Sequence, residues 1–216
     1  MVDEVAITLF ETRGCLEYTE EDLPADLAGL DLSYNVHLPL DLPWTQGADE
    51  VFGTIRALAA KTDFLRPHSY VLHPPPGDDR ELERLIHLWS GSRNPESLAL
   101  ENVEGDDLRD HWPLIRETGC RVCLDLGHLL AYGQESLLET PGLLGQTSVL
   151  HLYGPGPNGE HDTLSRLDNH GFRLLQHVLH NMPASSVIVL ELFHPEKLVE
   201  SLDIFRSWFR NGCLAR

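Results

Sequence analysis

Short, nearly continuous apolar runs alternate along the whole chain with longer stretches of mixed polarity. Each run is the length of one strand, and continuous apolar character is typical of strands buried on both faces of a parallel sheet. The predicted strands are residues 5–10, 34–39, 69–73, 97–102, 122–125, 148–152 and 186–192.

Between these runs, apolar residues recur at helical spacing. The predicted helices are residues 48–61, 79–89, 106–118, 164–179 and 195–210. Asp106 and Asp107 suit the positive end of a helix dipole, and Gly119 is a common helix terminator. Residues 12–33 are less regular, and residues 134–145 indicate only a short helix.

The alternation of strands and helices predicts an α/β fold with a parallel sheet. An open doubly wound sheet usually carries a Gly-rich phosphate loop after its first strand, but residues 10–15 match neither the GxGxxG nor the GxxxxGK[ST] spacing. A barrel instead places polar groups at the carboxyl ends of many strands. No Pro/Gly/Ser-rich linker divides the sequence, so we expect residues 1–216 to form a single domain.

Each of the seven apolar runs closes on a carboxylate or an imidazole. These residues are Glu11, His37, His73, Glu101, Asp125 (with His128 three residues later), His151 and Glu191. Buried charged groups must be paired or coordinated. One such histidine alone is more often a satisfied core residue, but seven strands ending in this way favour convergence at one barrel mouth.

Convergence of these side chains predicts a mixed imidazole and carboxylate metal site. A ligand set without thiolate suits Zn²⁺, Mn²⁺ or Fe²⁺, and the number of ligands leaves room for two or three ions. The loop after the sixth strand adds His161 as a further candidate ligand.

Composition narrows the choice of partners. Lys and Arg number 16 against 34 Asp and Glu, so the formal net charge is −18, which repels phosphate backbones and argues against a nucleic-acid partner. No apolar run reaches the roughly 18 residues of a membrane-spanning helix, and no signal segment is apparent. Four scattered cysteines do not make a disulfide scaffold, so we expect a cytoplasmic protein. Together with the negative charge, this favours a small-molecule substrate.

Four short strings resemble those of a known superfamily. Glu101-Asn102, Asp125-Leu-Gly-His128, His151-Leu152 and Glu191 are similar in order and spacing to the xylose-isomerase-like barrels, over nearly the whole chain. That superfamily includes sugar isomerases, epimerases and endonuclease IV. The resemblance implies a (β/α) TIM barrel.

The resemblance also implies a ligand set. Glu101, Asp125, His151 and Glu191 match the residues that hold one metal in the isomerases. The endonuclease branch adds histidines and holds three zinc ions, and the matching positions are His37, His73, His128 and His161. Strings beginning at Leu9, His37 and Cys123 are most similar to the cobamide-remodelling phosphodiesterases, which hydrolyse the phosphodiester of a corrinoid's nucleotide loop.

The chain departs from the family pattern in two places. Gly159 stands where the endonucleases have an Asp ligand, so Glu160 and Asp162 become candidate replacements. The first family strand has no counterpart, which predicts an incomplete barrel of seven clear strands. Its apolar edge would favour a homodimer.

Two enzymatic hypotheses follow. A metal-dependent phosphodiesterase would use Glu101 as a bridging ligand, Glu191 as a bridge or base, and His151 beside them. A sugar isomerase or epimerase would use one ion with Glu101 and Glu191 as its acid/base pair, but it does not require His37 or His73. A DNA-repair enzyme and an inactive binding barrel are less favoured.

Several residues are candidate substrate contacts, although some also suit a packing role. They are Glu11, Trp44, Tyr153 and His194. His68 and His194 are next to strand-end residues of the predicted metal site, and we expect both to contact a substrate phosphate. Cys120 and Cys123 have the spacing of a redox motif, but a buried strand position favours packing. His87, His111, His177 and His180 lie in or near predicted helices and are expected to be structural.

Overall fold

The computed structural model describes residues 2–75, 77 and 79–214. Its strands are β1 (Glu4–Thr8), β2 (Ser33–His37), β3 (Ser69–Leu72), β4 (Leu98–Glu101), β5 (Arg121–Asp125), β6 (Thr147–Leu152), β7 (Gly154–Pro155), β8 (His161–Asp162) and β9 (Val187–Leu190). Strands β1 to β6 and β9 follow chain order in one seven-stranded sheet, while β7 and β8 form a small antiparallel pair. The seven predicted strands are therefore confirmed.

The helices are α1 (Thr12–Leu16), α2 (Ala48–Thr62), α3 (Asp79–Ser90), α4 (Trp112–Thr118), α5 (Leu126–Ala131), α6 (Leu143–Gln146), α7 (Asn169–Asn181) and α8 (Pro195–Arg210). Short 3-10 turns cover Ala25–Gly29, Trp44–Gln46, Asp63–Leu65, Pro95–Ser97, Glu135–Glu139 and Leu164–Arg166. None of the helices in the described part of the chain has both the length and the apolar character that a bilayer crossing needs.

The chain divides into two compact units. The first comprises Met1–Leu100 and Pro113–Arg121, and the second comprises Glu101–Trp112 and Val122–Arg216.

In the first unit, β1, β2 and β3 pair in parallel register. Because alternate residues of a strand share a face, Asn35 and His37 lie on the same side of β2. Helices α2 and α3 pack together, and their fully buried residues include Ile55, Leu58 and Leu85. Burial of these apolar side chains is the main stabilising term for the unit.

In the second unit, β6 lies between β5 and β9 in parallel register. Asp125 is the direct cross-strand neighbour of His151, and His151 is in turn the neighbour of Val189. This register brings two of the predicted site residues to the same level of the sheet.

The helix predicted at 106–118 is shorter in the structure and begins only at Trp112. The carboxylate of Asp106 explains the difference. Its Oδ1 accepts a hydrogen bond from the Leu108 amide (3.0 Å), and its Oδ2 lies 2.6 Å from Nε2 of His111. Local bonds of this kind compete with helical ones, so these residues form a turn instead.

The helix predicted at 164–179 likewise begins later, at Asn169. The Asp168 carboxylate accepts hydrogen bonds from the amides of His170 (2.9 Å) and Gly171 (2.8 Å), which makes Asp168 the N-cap. Residues 164–166 form a separate 3-10 turn before it.

Both cysteines of the C-x-x-C spacing are fully buried thiols. Burial raises the pKa of Cys120, and burial together with the neighbouring Glu101 raises the pKa of Cys123. A thiol held protonated is a poor nucleophile, so Cys120 and Cys123 act as packing residues.

Candidate metal centre

The polar residues predicted at strand ends lie where the parallel strands finish. Six of them are within one position of the last residue of a strand: His37, His73, Glu101, Asp125, His151 and Glu191. Glu11 does not follow this pattern, because β1 ends at Thr8 and Glu11 immediately precedes α1.

Four of these residues, all in the second unit, converge on one point. One ligand atom from each of Glu101, Asp125, His151 and Glu191 lies within 4.8 Å of the others. We call this group the four-residue cage. Its side chains are shielded from solvent, with exposed fractions of 0, 0, 1 and 9% in that order.

The spacing within the cage suits a divalent ion. Nδ1 of His151 lies 3.1 Å from Oε1 of Glu101, 3.3 Å from Oε2 of Glu191 and 3.8 Å from Oδ2 of Asp125. Tetrahedral ligands at about 2.0–2.2 Å from a zinc ion stand about 3.3–3.6 Å apart. The cage is therefore already near the size that such an ion requires.

The buried charges of the cage also favour a bound cation. Burial and the charges of Glu101 and Glu191 raise the pKa of Asp125 well above its usual range. Burial opposes protonation of His151, but Cys123, Glu191 and Glu101 together raise its pKa overall. Within the described residues, Asp125 Oδ2 has no hydrogen-bond partner. Three buried carboxylates around one imidazole are the donor set expected of a divalent metal site.

Asn102 holds Asp125 in place. Its Oδ1 accepts from the Asp125 amide (2.7 Å), and its Nδ2 donates to the Asp125 carbonyl (3.0 Å) and to Oε1 of Gln134 (3.0 Å). Nε2 of Gln134 donates in turn to the Val103 carbonyl (2.6 Å). These bonds fix the end of β5 against the residue that follows Glu101.

His128 and His161 flank the cage within the same unit. Nδ1 of His128 lies 2.9 Å from the Asn102 carbonyl oxygen, and Nδ1 of His161 lies 2.8 Å from the Glu191 carbonyl oxygen. Such a contact places the proton on Nδ1 and leaves Nε2 as the unprotonated nitrogen, the form in which histidine binds metals. The Asp125 carboxylate also accepts the His128 amide (2.6 Å), so it caps α5.

His37 and His73 lie together in the first unit. Their ring centroids are 5.1 Å apart in an edge-on arrangement, and Nδ1 of His37 lies 2.8 Å from the Leu38 carbonyl oxygen. His37 thus has the same tautomer preference as His128 and His161.

The backbone conformation of the loop after β6 explains the glycine at position 159. Gly159 has φ of +81°, a conformation that Asp adopts only with strain. The two proposed replacements are engaged elsewhere. Asp162 pairs with Lys197 (2.9 Å) and Arg166 (3.3 Å), and Oε2 of Glu160 accepts the Asn158 amide (2.8 Å). Both carboxylates thus have partners outside the cage in this arrangement.

Comparison with solved structures establishes the fold. A D-tagatose 3-epimerase-like protein superposes with a TM-score of 0.72 at 15% identity, covering 96% of this chain and 88% of that one. Endonuclease IV from Thermus thermophilus superposes with a TM-score of 0.67 at 17% identity, covering 97% and 98%. The fold is a xylose-isomerase-like TIM barrel.

A third similar structure is the TTHB071 protein, also from Thermus thermophilus, in a crystal soaked with zinc chloride. It is 21% identical, with a TM-score of 0.57, and the match covers 94% of this chain and 86% of that one. At such identities the likeness establishes the fold alone. No protein-family model and no curated protein sequence matches the chain.

The barrel places the predicted substrate contacts in different surroundings. Tyr153 is fully buried beside the cage, whereas Trp44 is partly buried at the start of a 3-10 turn. Glu11 and His194 are exposed and immediately precede α1 and α8.

The prediction for His68 was wrong. His68 precedes β3 at the amino end of the strand, away from His73, and its Nε2 lies 2.7 Å from Oε1 of Glu4 at the start of β1. It therefore belongs to an ion pair at the opposite strand ends, where Asn35 also donates to Glu4 (2.6 Å).

The expectation that four other histidines are structural agrees with their positions. His87, His177 and His180 lie on α3 and α7, and His111 is buried against Asp106. Sequence reasoning missed Gln134, which supports Asn102 from 32 residues away. A lone glutamine in an irregular segment carries no signal of such a role.

Proposed function

We propose that the barrel is a metal-dependent hydrolase that cleaves a small-molecule phosphodiester. The observation that carries the proposal is the four-residue cage, in which three buried carboxylates and one imidazole meet within 4.8 Å. We expect two or three ions of Zn²⁺, Mn²⁺ or Fe²⁺.

The proposal of more than one ion rests on the additional imidazoles. His37, His128 and His161 each direct Nδ1 at a backbone carbonyl, and this tautomer presents Nε2 for coordination. His73 lies beside His37. A site for one ion does not require these four histidines.

Bound divalent ions lower the pKa of water and neutralise the charge of a phosphodiester. The protein's own groups then have distinct tasks. Glu101, which has no exposed surface, would hold ions inside the cage, and Asn102 would fix Asp125 as a further ligand. Glu191 is the most exposed cage residue and would accept the proton of an attacking water. His151 lies between the two glutamates, 3.1 and 3.3 Å from their nearest oxygens.

We propose the nucleotide-loop phosphodiester of a cobamide as the substrate, on the strength of the strings near Leu9, His37 and Cys123. The test is to incubate metal-reconstituted protein with an intact cobamide and to follow the lower base by chromatography. Release of the base-containing fragment is the expected result. Absence of turnover in protein with full metal content would contradict this substrate.

Metal content separates the hydrolase from its rival. We expect two or three ions per chain by elemental analysis of the fully loaded protein. A single ion per chain would exclude the multinuclear hydrolase.

The second candidate is a sugar isomerase or epimerase. It is favoured by the cage alone, because four ligands suffice for one ion and bring two carboxylates, Glu101 and Glu191, to the same point. Epimerisation of a ketose by protein with one bound ion, without cobamide cleavage, would establish it.

We further propose a cytoplasmic location, a small-molecule substrate, no nucleic-acid or membrane partner, and a homodimer formed through the edge of β1. The residues of β1 are all partly exposed, as expected for an edge strand. Light scattering on the purified protein gives the oligomeric state, and a monomeric mass would contradict the dimer.

A further inference from the structure

Tyr153 follows β6 and is fixed from two sides. Its ring lies flat against the imidazole of His161, with centroids 3.7 Å apart and planes inclined by 13°. On another side it contacts Gly127 so closely that any Cβ at that position would overlap the ring. The phenol is fully buried, and its position has little freedom.

The hydroxyl group of Tyr153 has no hydrogen-bond partner in the part of the chain that the structure describes. Buried tyrosine hydroxyls normally have one, because an unsatisfied hydroxyl loses its hydration without compensation. The ring lies next to the cage, because His161, on which it stacks, has its Nδ1 3.8 Å from Oε2 of Glu191. A phenol keeps its proton at neutral pH, so the hydroxyl can donate a hydrogen bond.

Asp125 Oδ2 is a second polar atom of this region that lacks a hydrogen-bond partner among the described residues. The hydroxyl and this carboxylate oxygen do not bond to each other. A metal ion bound to the Asp125 carboxylate, together with a substrate oxygen that accepts a hydrogen bond from the phenol, would satisfy both atoms.

We infer that the Tyr153 hydroxyl donates a hydrogen bond to a phosphoryl oxygen of the substrate bound at the four-residue cage. The inference rests on the proposed function. It assigns to Tyr153 a binding contact with the anionic part of the substrate, which the cage carboxylates would otherwise repel. The stacking on His161 and the contact with Gly127 keep the donor in place before the substrate arrives.

The test compares Tyr153→Phe with the unchanged protein, using Zn²⁺ and inorganic phosphate as probes. Phenylalanine retains the ring and its contacts with His161 and Gly127 and removes only the donor. Titration calorimetry on zinc-loaded protein should show phosphate binding weakened about tenfold, as expected for loss of one hydrogen bond to an anion. The zinc affinity and the urea midpoint of the metal-free protein should not fall, because the lost hydroxyl has no partner there.

Tyr132→Phe is the matched control. Tyr132 is a partly exposed phenol whose ring centroid lies 5.5 Å from that of His128. Removing its hydroxyl should leave the affinities for zinc and phosphate unchanged.

The outcomes separate this inference from the proposed function. Equal phosphate affinity in Tyr153→Phe and the unchanged protein would overturn the inference and leave the hydrolase intact. A parallel loss of zinc affinity would also overturn it, since Tyr153 would then support the cage itself. Absence of phosphate binding by the zinc-loaded protein would also overturn the role of Tyr153. The cobamide assay would then test the proposed function separately. Failure of the unchanged protein to bind any of Zn²⁺, Mn²⁺ and Fe²⁺ would overturn both proposals.

Discussion

At the scale of single residues, Gly127 is the position where packing limits the site most tightly. It lies between Asp125 and His128, and the Tyr153 ring occupies the space that a side chain would need. The glycine of the Asp125-Leu-Gly-His128 string is thus explained by the close approach of an aromatic ring to the backbone of α5.

We predict that Gly127→Ala lowers the free energy of unfolding by about 1–3 kcal/mol, because the methyl group forces the Tyr153 ring to move. Urea unfolding of the metal-free protein measures the change. Gly53→Ala is the matched control, since Gly53 is an exposed interior residue of α2 with no described heavy atom near its potential Cβ. The control should gain about 0.5–1 kcal/mol from improved helix propensity. Equal stability of Gly127→Ala and the unchanged protein would show that the ring yields freely.

At the scale of elements, Asn102 joins three pieces of the second unit. Through its side chain it bonds both the amide and the carbonyl of Asp125 at the end of β5, and through its own carbonyl it contacts His128 on α5. Since Gln134 binds the same amide group, the irregular segment after α5 is tied to this point as well.

We predict that Asn102→Ala lowers both stability and metal affinity. Loss of buried hydrogen bonds that leaves partners unsatisfied costs about 1–3 kcal/mol, and loss of a group that orients a ligand weakens metal binding about 10- to 100-fold. Zinc competition titration and urea unfolding measure the two effects. Asn94→Ala removes a cap from a 3-10 turn of the first unit and should reduce stability without changing zinc affinity. An unchanged zinc affinity in Asn102→Ala would mean that Asp125 is held well enough by β5 alone.

The sequence predicts helices and strands correctly where burial of apolar residues determines them. It does not predict element boundaries that depend on the hydrogen bonds of a single side chain. The seven strands are apolar runs that only a buried sheet accommodates, so their order and the polar residues at their ends were predicted. The starts of α4 and α7 depend on Asp106 and Asp168, whose carboxylates bond to nearby amides. Apolar periodicity does not report such bonds. For the same reason, no pattern distinguishes His68, paired with Glu4, from the histidines at the carboxyl strand ends.

At the scale of the whole molecule, charge decides which phosphodiesters can approach. The formal net charge is −18, and even three divalent ions would leave the chain at about −12. A DNA-binding surface gains affinity by releasing counterions from the phosphate backbone, and this requires clustered Lys and Arg. The described cations near the candidate site include Arg166 and Lys197, and both pair with Asp162.

We therefore predict that the metal-loaded barrel does not bind duplex DNA, with or without an abasic site, although its fold resembles that of endonuclease IV. Non-specific DNA binders reach dissociation constants of about 10⁻⁴–10⁻⁶ M at physiological salt through their basic surfaces. Fluorescence anisotropy with a labelled abasic duplex should show no binding at about 100 μM protein and about 150 mM salt, conditions under which even the weakest of such binders is about half bound. Lowering the salt should not rescue binding, because weaker screening strengthens repulsion between like charges. DNA binding that becomes tighter as the salt concentration falls would show that the protein has a basic surface. It would contradict a small-molecule substrate and favour a polynucleotide. A cobamide, which offers one phosphodiester anion instead of a polyanion, meets far less of this repulsion.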